Sequence, residues 1–186
     1  MVVLGISGSL RRDSSNRRLL LAAAGKLPPG ARMRVFAELG EIPPFDEDRE
    51  GRPGPAVLGL RNAVAAADTV LVSTPEYNGS FPGQLKNALD WVSRPLDTNP
   101  LKSRPVAVVG ASSGIFGAVW AQADLRRVLT AIGAAVLADE LPVGRADAAF
   151  DPRGDLLDPD SDAALAALMR RLVAAARPAA MTAAGC

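Results

Sequence analysis

The run Thr69-Val70-Leu71-Val72-Ser73 restricts the architectures open to this chain more than any other stretch. It is short, largely β-branched and uncharged, the pattern of a strand buried on both faces, and such strands belong to parallel sheets whose crossovers are helices. The segment after it cannot extend a strand: Pro75-Glu76-Tyr77-Asn78-Gly79-Ser80-Phe81-Pro82-Gly83 is dense in turn formers. Beyond it, Leu85, Ala88, Leu89 and Val92 recur at helical spacing and predict a helix over residues 84–92, with Ser80 as N-cap ahead of Pro82. The segment 75–83 is therefore a loop at the carboxyl end of a strand, where open α/β sheets bind ligands. An ordinary strand-to-helix turn uses the same residues. Tyr77 and Phe81, however, put two aromatic rings into one polar loop in a chain with one Tyr, five Phe and two Trp, and so point to a rim for a flat ligand.

The rest of the chain alternates in the same way. Residues 2–6 read as a buried strand, 16–26 as a helix with Leu19, Leu20, Ala23 and Leu27 inward, and 33–37 as a second strand. Residues 40–55, rich in Pro, Gly and charge, read as a long surface loop before a helix carrying Val57, Leu60, Val64 and Ala67. After the central strand and helix, a connection through Pro95, Pro100 and Pro105 leads to a fourth strand, 105–109. Ala118, Ala121, Leu125, Val128, Leu129 and Ile132 then mark a helix, residues 134–138 a fifth strand, and Leu165, Leu168, Met169 and Leu172 a last helix. The Ala-rich segment 178–186 reads as a frayed tail after a single domain of residues 1–177. Five strands separated by helices predict an α/β, doubly wound parallel sheet of order 2-1-3-4-5 with helices on both faces. In that order the loops after strands 1 and 3 open a crevice at the switch point.

Composition limits what that crevice can serve. Lys and Arg number 21 against 20 Asp and Glu, so no overall field draws in nucleic acid or an anionic membrane, and any bound anion must be held locally. No apolar run approaches the roughly 18 residues of a membrane span, and Met1 opens directly into a strand, so a cytoplasmic location is expected. The chain has no His, and its one Cys is residue 186. A thiolate metal cluster, a catalytic thiol and the commonest general base are thus excluded, and an enzyme built this way relies on a cofactor for its chemistry.

The loop after strand 1, Ser7-Gly8-Ser9-Leu10-Arg11-Arg12-Asp13-Ser14-Ser15-Asn16, has neither a G-x-G-x-x-G turn nor a P-loop signature. Ser9 and Ser15 offer hydroxyl donors, Arg11 a planar fork, and the helix start near Asn16 free N–H groups, which together suit a phosphate dianion. The alternative is that Ser14, Ser15 and Asn16 only cap the helix while Arg11 and Arg12 are solvated. The loop after strand 4, Gly110-Ala111-Ser112-Ser113-Gly114-Ile115-Phe116-Gly117, is likewise made of small residues that let a ligand approach the backbone. Three such loops side by side suit a mononucleotide with a flat ring.

These residues carry a resemblance. Gly8-Ser9-Leu10-Arg11 with Ser15-Asn16, Pro75-Glu76-Tyr77-Asn78-Gly79-Ser80 with Pro82-Gly83, Leu85-Lys86-Asn87-Ala88-Leu89-Asp90-Trp91, and Val108-Val109-Gly110-Ala111-Ser112 resemble the NADPH-dependent FMN reductase family, a flavodoxin-like group that includes quinone, chromate and azo-dye reductases. The resemblance implies that Ser9, Arg11, Ser15 and Asn16 hold the FMN phosphate. It also implies that Pro75, Glu76, Tyr77, Asn78 and Gly79 line the isoalloxazine and that Ser112, Ser113 and Gly114 close its other side. NADPH or NADH would be co-substrate, a quinone or other small molecule the acceptor, and the assembly a homodimer or homotetramer. Binding of FMN rather than FAD is expected, because one helix start with one Arg suits a monophosphate. Ping-pong hydride transfer then needs no side-chain acid or base; Glu76 reads as a structural cap or, alternatively, as a general acid. The competing functions are a flavodoxin-type electron carrier, which by the same resemblance would be strongly acidic with a Thr-rich phosphate loop, and a non-catalytic flavin sensor. Trp91, off the apolar stripe of its helix, is expected to anchor a two-fold interface. The 40–55 loop is expected to help select the acceptor.

Overall fold

The computed structural model describes residues 1–176; residues 177–186, with the last residue of the expected domain, the expected tail and Cys186, lie outside the described residues. Its elements are β1 (Val2–Ser7), α1 (Ser15–Gly25), β2 (Arg32–Phe36), α2 (Pro55–Ala65), β3 (Thr69–Thr74), α3 (Gly83–Val92), β4 (Pro105–Ala111), α4 (Val119–Ala131), β5 (Ala135–Val136), β6 (Pro142–Val143) and α5 (Pro159–Ala175). The strands form a parallel sheet in the order β2-β1-β3-β4-β5, with β6 also paired to β4. Every residue of β3 is buried, as its apolar run requires. Because successive side chains alternate across a sheet, Val70 and Val72 join Leu4, Ile6, Val106 and Val108 in a core covered by α2, α3 and α4. Leu71 faces the other way, with Val3, Ala107 and Val109, under α1 and α5. Among the described residues no helix is long and apolar enough to cross a membrane.

The expected fifth strand over 134–138 is shorter and is succeeded by a sixth. Ala135 and Val136 pair with Pro105 and Val106, and the chain then leaves the sheet before Pro142 and Val143 rejoin β4 at Gly110 and Ala111. The physical reason lies in Asp139 and Glu140. Both carboxylates are ion-paired outside the sheet, to Arg171 and Arg126 respectively, so neither can continue a strand packed on the core. The excursion brings β6 against the carboxyl end of β4, where the loops expected to bind a ligand emerge.

Two further expectations are corrected. Residues 40–55 do not form one long surface loop, since Leu39 and Ile42 are buried and the segment around them is clamped to α3. The Gln84 amide donates to the Leu39 and Ile42 carbonyls at 2.7 and 2.9 Å. Asn87 donates to Pro43 O at 2.8 Å and accepts from Phe45 N at 2.7 Å. Only the stretch after Phe45 remains at the surface, where the turn Glu47–Arg49 buries nothing. Nor is Trp91 an interface anchor: it is 2% exposed. Its indole N–H donates to Pro43 O at 2.9 Å and its ring meets Phe45 edge to face at 5.0 Å. Gln84, Asn87 and Trp91 thus make a second stripe on α3, beside the apolar one, that holds the segment after β2.

Replacing Trp91 with Phe removes one buried hydrogen bond and part of the ring packing. The Trp91→Phe protein is expected to lose about 0.5–1.5 kcal/mol in urea denaturation, the net worth of one hydrogen bond, because Pro43 O keeps the bond from Asn87, with no change in association state by light scattering.

Candidate functional site

Three loops leave the carboxyl ends of β1, β3 and β4 on the same edge of the sheet. Their footing is a side chain, Asn16, at the start of α1. It is 3% exposed. Its amide donates to Ala111 O at 2.9 Å, and its carbonyl oxygen accepts from Ser73 Oγ at 2.9 Å and from Ala111 N at 3.0 Å. One amide therefore ties α1 to the ends of β3 and β4. Ser14, not Ser15 or Asn16, is the N-cap of α1, accepting from the N–H groups of Asn16 and Arg17 at 3.2 and 3.4 Å. Arg11 is exposed and its guanidinium has no carboxylate partner among the described residues.

The loop after β3 turns back on itself. Tyr77 and Ser80 exchange backbone hydrogen bonds at 2.9 and 3.2 Å, and the two residues between them, Asn78 and Gly79, have φ of 54° and 78°. Positive φ at both central positions is the tight turn for which Asn-Gly is the favoured pair. The turn is fastened to α4 at both ends. The Glu76 carboxylate accepts from Ala121 N at 3.2 Å, in the first turn of α4, and so serves as the structural cap. Ser80 is not the cap of α3, which begins after Pro82 without a side-chain cap; its hydroxyl donates to Asp124 at 2.5 Å instead. Phe81, expected on the rim, is 8% exposed and belongs to the core, whereas Tyr77 is 50% exposed.

The loop after β4 is held by β6 and the residues beyond it. Ser112 N donates to Val143 O at 3.1 Å, Arg145 N to Gly114 O at 3.0 Å and Ala146 N to Ser112 O at 3.0 Å. The approach is close enough that a Cβ on Gly144 would sit 2.3 Å from Ile115 O. Phe116 and Trp120, which the sequence pattern did not single out, stand at the end of this loop with rings 5.0 Å apart, 58% and 52% exposed. They, not Phe81, are the other aromatic groups near the Tyr77 turn.

A small cleft of about 90 Å³ lies where the loops converge. Of the residues expected in the site, Ser9, Arg11, Ser15, Asn16, Pro75, Glu76, Tyr77, Ser112 and Ser113 line it, while Asn78, Gly79 and Gly114 lie beyond its lining on the same loops. Asp147, after β6, also lines it, and nothing in its sequence context distinguishes it from a loop carboxylate. The donors fit a phosphate: two hydroxyls, a guanidinium without a carboxylate partner among the described residues, and the Ser15 N–H; the Asn16 and Arg17 N–H groups, expected to be free, are taken by the Ser14 cap. A cleft of about 90 Å³ has room for a phosphate group. Asn16 is the exception among the expected phosphate ligands, because its amide is already bonded to three partners within the scaffold.

A doubly wound parallel sheet with a phosphate-sized cleft at its switch point defines the flavodoxin-like class. The model of one family, NADPH-dependent FMN reductase, matches residues 1–148. An NAD(P)H-dependent FMN reductase of Pseudomonas aeruginosa is 45% identical over 159 residues, 84% of each chain. A 2-hydroxy-1,4-benzoquinone reductase of a Burkholderia species is 34% identical over 170 residues, covering 91% of this chain and 92% of its own. Among solved structures, the flavoenzyme NAD(P)H:acceptor oxidoreductase of Paracoccus denitrificans superposes with a TM-score of 0.83 at 31% identity, over 94% of this chain and 96% of that one. The chain belongs to the NADPH-dependent FMN reductase family and is an FMN-dependent oxidoreductase.

The Ser80–Asp124 contact gives the turn a pH dependence. The Ser80 hydroxyl and then the Arg127 guanidinium hold the Asp124 carboxyl below its ordinary value. A lowered folded-state pKa stabilises the protein fully above the unfolded value of about 4, and that stabilisation disappears as pH falls through the folded value. Asp124→Asn is therefore expected to flatten the acid side of the stability profile, measured as urea midpoint against pH, and to leave the neutral side parallel to that of the parent.

Proposed function

We propose that the chain takes hydride from NADPH or NADH at bound FMN and passes both electrons to a small quinone-like acceptor, the two substrates using one slot in turn. The observation that carries this reading is the convergence of Ser9, Arg11 and Ser15 with the turn at Pro75, Glu76 and Tyr77 and the loop at Ser112 and Ser113 around one cleft. When bound, FMN supplies the redox chemistry, accepting hydride from the nicotinamide and returning two electrons to the acceptor.

The side chains bind and orient. Ser9, Ser15 and the Arg11 fork hold the phosphate, and Arg11 matches its oxygens with two parallel donors. Asn16 fixes the floor beneath it. The N–H groups of Asn78 and Gly79, which have no partner among the described residues, are available to the polar edge of the ring. Ser112, Ser113 and Gly114 close the opposite side. Tyr77, half exposed on a turn pinned by Glu76 and Ser80, borders the face where nicotinamide and acceptor stack and shields it from water. Glu76 has its carboxylate engaged as a helix cap and transfers no proton.

The fold is read as one domain of residues 1–177 working in the cytoplasm as a homodimer or homotetramer. The exposed Phe116–Trp120 pair beside the site supports association, since paired exposed rings mark contact surfaces. A carrier that only exchanges electrons with a protein partner is disfavoured by the balanced charge, 21 cations against 20 anions.

Stopped-flow measurement of the two half-reactions tests the proposal. The parent is expected to bleach the flavin with NAD(P)H and recover it with a benzoquinone, and to sediment as an oligomer at micromolar concentration. Tyr77→Ala should slow both half-reactions with flavin still bound. Arg11→Ala should weaken FMN by about 1.5–3 kcal/mol, the worth of a hydrogen bond to a charged group. A parent that holds FMN but is reduced by neither nucleotide would overturn the enzyme reading.

A further inference from the structure

A second, larger cleft of about 540 Å³ adjoins the first and shares Ser9 and Arg11 with it. It lies over β1 and β2, between the loop that leads into α1 and the segment after β2. Its volume falls within the range of small-molecule sites, roughly 300–1,000 Å³. One wall is cationic. Arg12 and Arg17 line it beside Arg11, all three are exposed, and none pairs with a carboxylate among the described residues. The adjacent Arg18 is different, for its guanidinium stacks on Phe150 at 5.0 Å. The other wall is apolar, with Phe36 and Leu39, and Leu10 leans across to Gly40, where a Cβ would lie 3.6 Å from the Leu10 methyl. Glu41 is the single carboxylate in the lining.

We infer that this cleft receives the 2′-phosphoadenosine end of NADPH, with Arg12 and Arg17 on the 2′-phosphate and the purine against Phe36 and Leu10, so that the enzyme prefers NADPH to NADH. The inference rests on the function proposed above. Arg11 is committed to the FMN phosphate, so Arg12 and Arg17 are cations in excess of what the flavin needs. Arginine is the side chain suited to a phosphate dianion, through its planar fork of donors. A purely inorganic anion gives no use for the apolar wall, and a neutral ligand none for the two guanidinium groups; a phosphorylated nucleoside uses both. The span also fits. On the function proposed above the nicotinamide end stacks beside the loops after β3 and β4, and this cleft lies over β1 and β2, about two strand spacings or roughly 10 Å away, a distance within the reach of a dinucleotide passing over the shared Ser9 and Arg11.

Calorimetric titration of the FMN-loaded protein with 2′,5′-ADP, 5′-AMP and inorganic pyrophosphate tests the assignment without turnover. 2′,5′-ADP is expected to bind at least about tenfold more tightly than either of the others. Arg12→Ala/Arg17→Ala, both at exposed positions, should abolish that advantage while its flavin content and circular dichroism match the parent, and the ratio of kcat/KM for NADPH over NADH should fall by the same factor. Arg12→Lys/Arg17→Lys should recover part of it. Equal binding of 2′,5′-ADP and 5′-AMP, equal binding of pyrophosphate, or an advantage that survives the double Ala substitution would overturn the inference. Failure of the underlying function is recognised separately, as FMN-loaded protein that neither nucleotide reduces.

Discussion

The buried amide of Asn16 is the interaction on which the arrangement of the site depends. Its three hydrogen bonds, to Ser73 and twice to Ala111, join the start of α1 to the ends of two neighbouring strands. The loops that emerge there are the ones that line the small cleft. A polar group this deep is tolerated only because every bond it makes is satisfied, and each bond to a strand end is also a distance constraint between loops. The Ser14 cap of α1 and the Glu76 cap of α4 act in the same sense, anchoring the loops after β1 and β3 to helix starts. The side chains of Ser9, Arg11 and Ser15, which line the cleft, are left outside this network.

The sheet was legible in the sequence because its central strands are buried on both faces, and a run such as residues 69–73 leaves little else to be. The order of the strands followed from the crossovers. The site loops were legible from their composition at strand ends. Most of the features that were not legible share one cause: long-range pairing of polar groups. Gln84, Asn87 and Trp91 form a stripe at i, i+3 and i+7, but only the segment 39–45 gives it a partner, and that partner looked like loop. Ser80 looked like a cap because it precedes a helix, yet its hydroxyl is drawn to Asp124, which lies 44 residues away. Asn16 looked like a ligand-binding residue because it begins a helix beside a phosphate loop. Its partner in β4 is 95 residues distant. Phe81 and Trp91 are hydrophobic side chains whose burial is decided by what packs on them, and periodicity alone does not supply that.

Close approach shapes the remaining wall. The contact of Gly144 with Ile115 permits the 112–117 loop to lie directly on the chain beyond β6, and a side chain at 144 would push it off. That excursion of β6 exists because Asp139 and Glu140 cannot stay in the sheet, so two surface ion pairs set the position of a loop that lines the small cleft. The chain belongs to the NADPH-dependent FMN reductase family, and Arg12 and Arg17, without carboxylate partners among the described residues, line the larger cleft and not the small one.

The central claim is that the loop after β1 binds the flavin by its phosphate. Titrating the apoprotein with FMN and with riboflavin, which has the same ring and ribityl chain but no phosphate, tests it most directly by flavin fluorescence quenching. Two charge-assisted hydrogen bonds predict FMN tighter than riboflavin by at least about a hundredfold. Equal affinity for the two would contradict the account, because the ring alone would then carry the binding and the Ser9, Arg11 and Ser15 constellation would hold nothing.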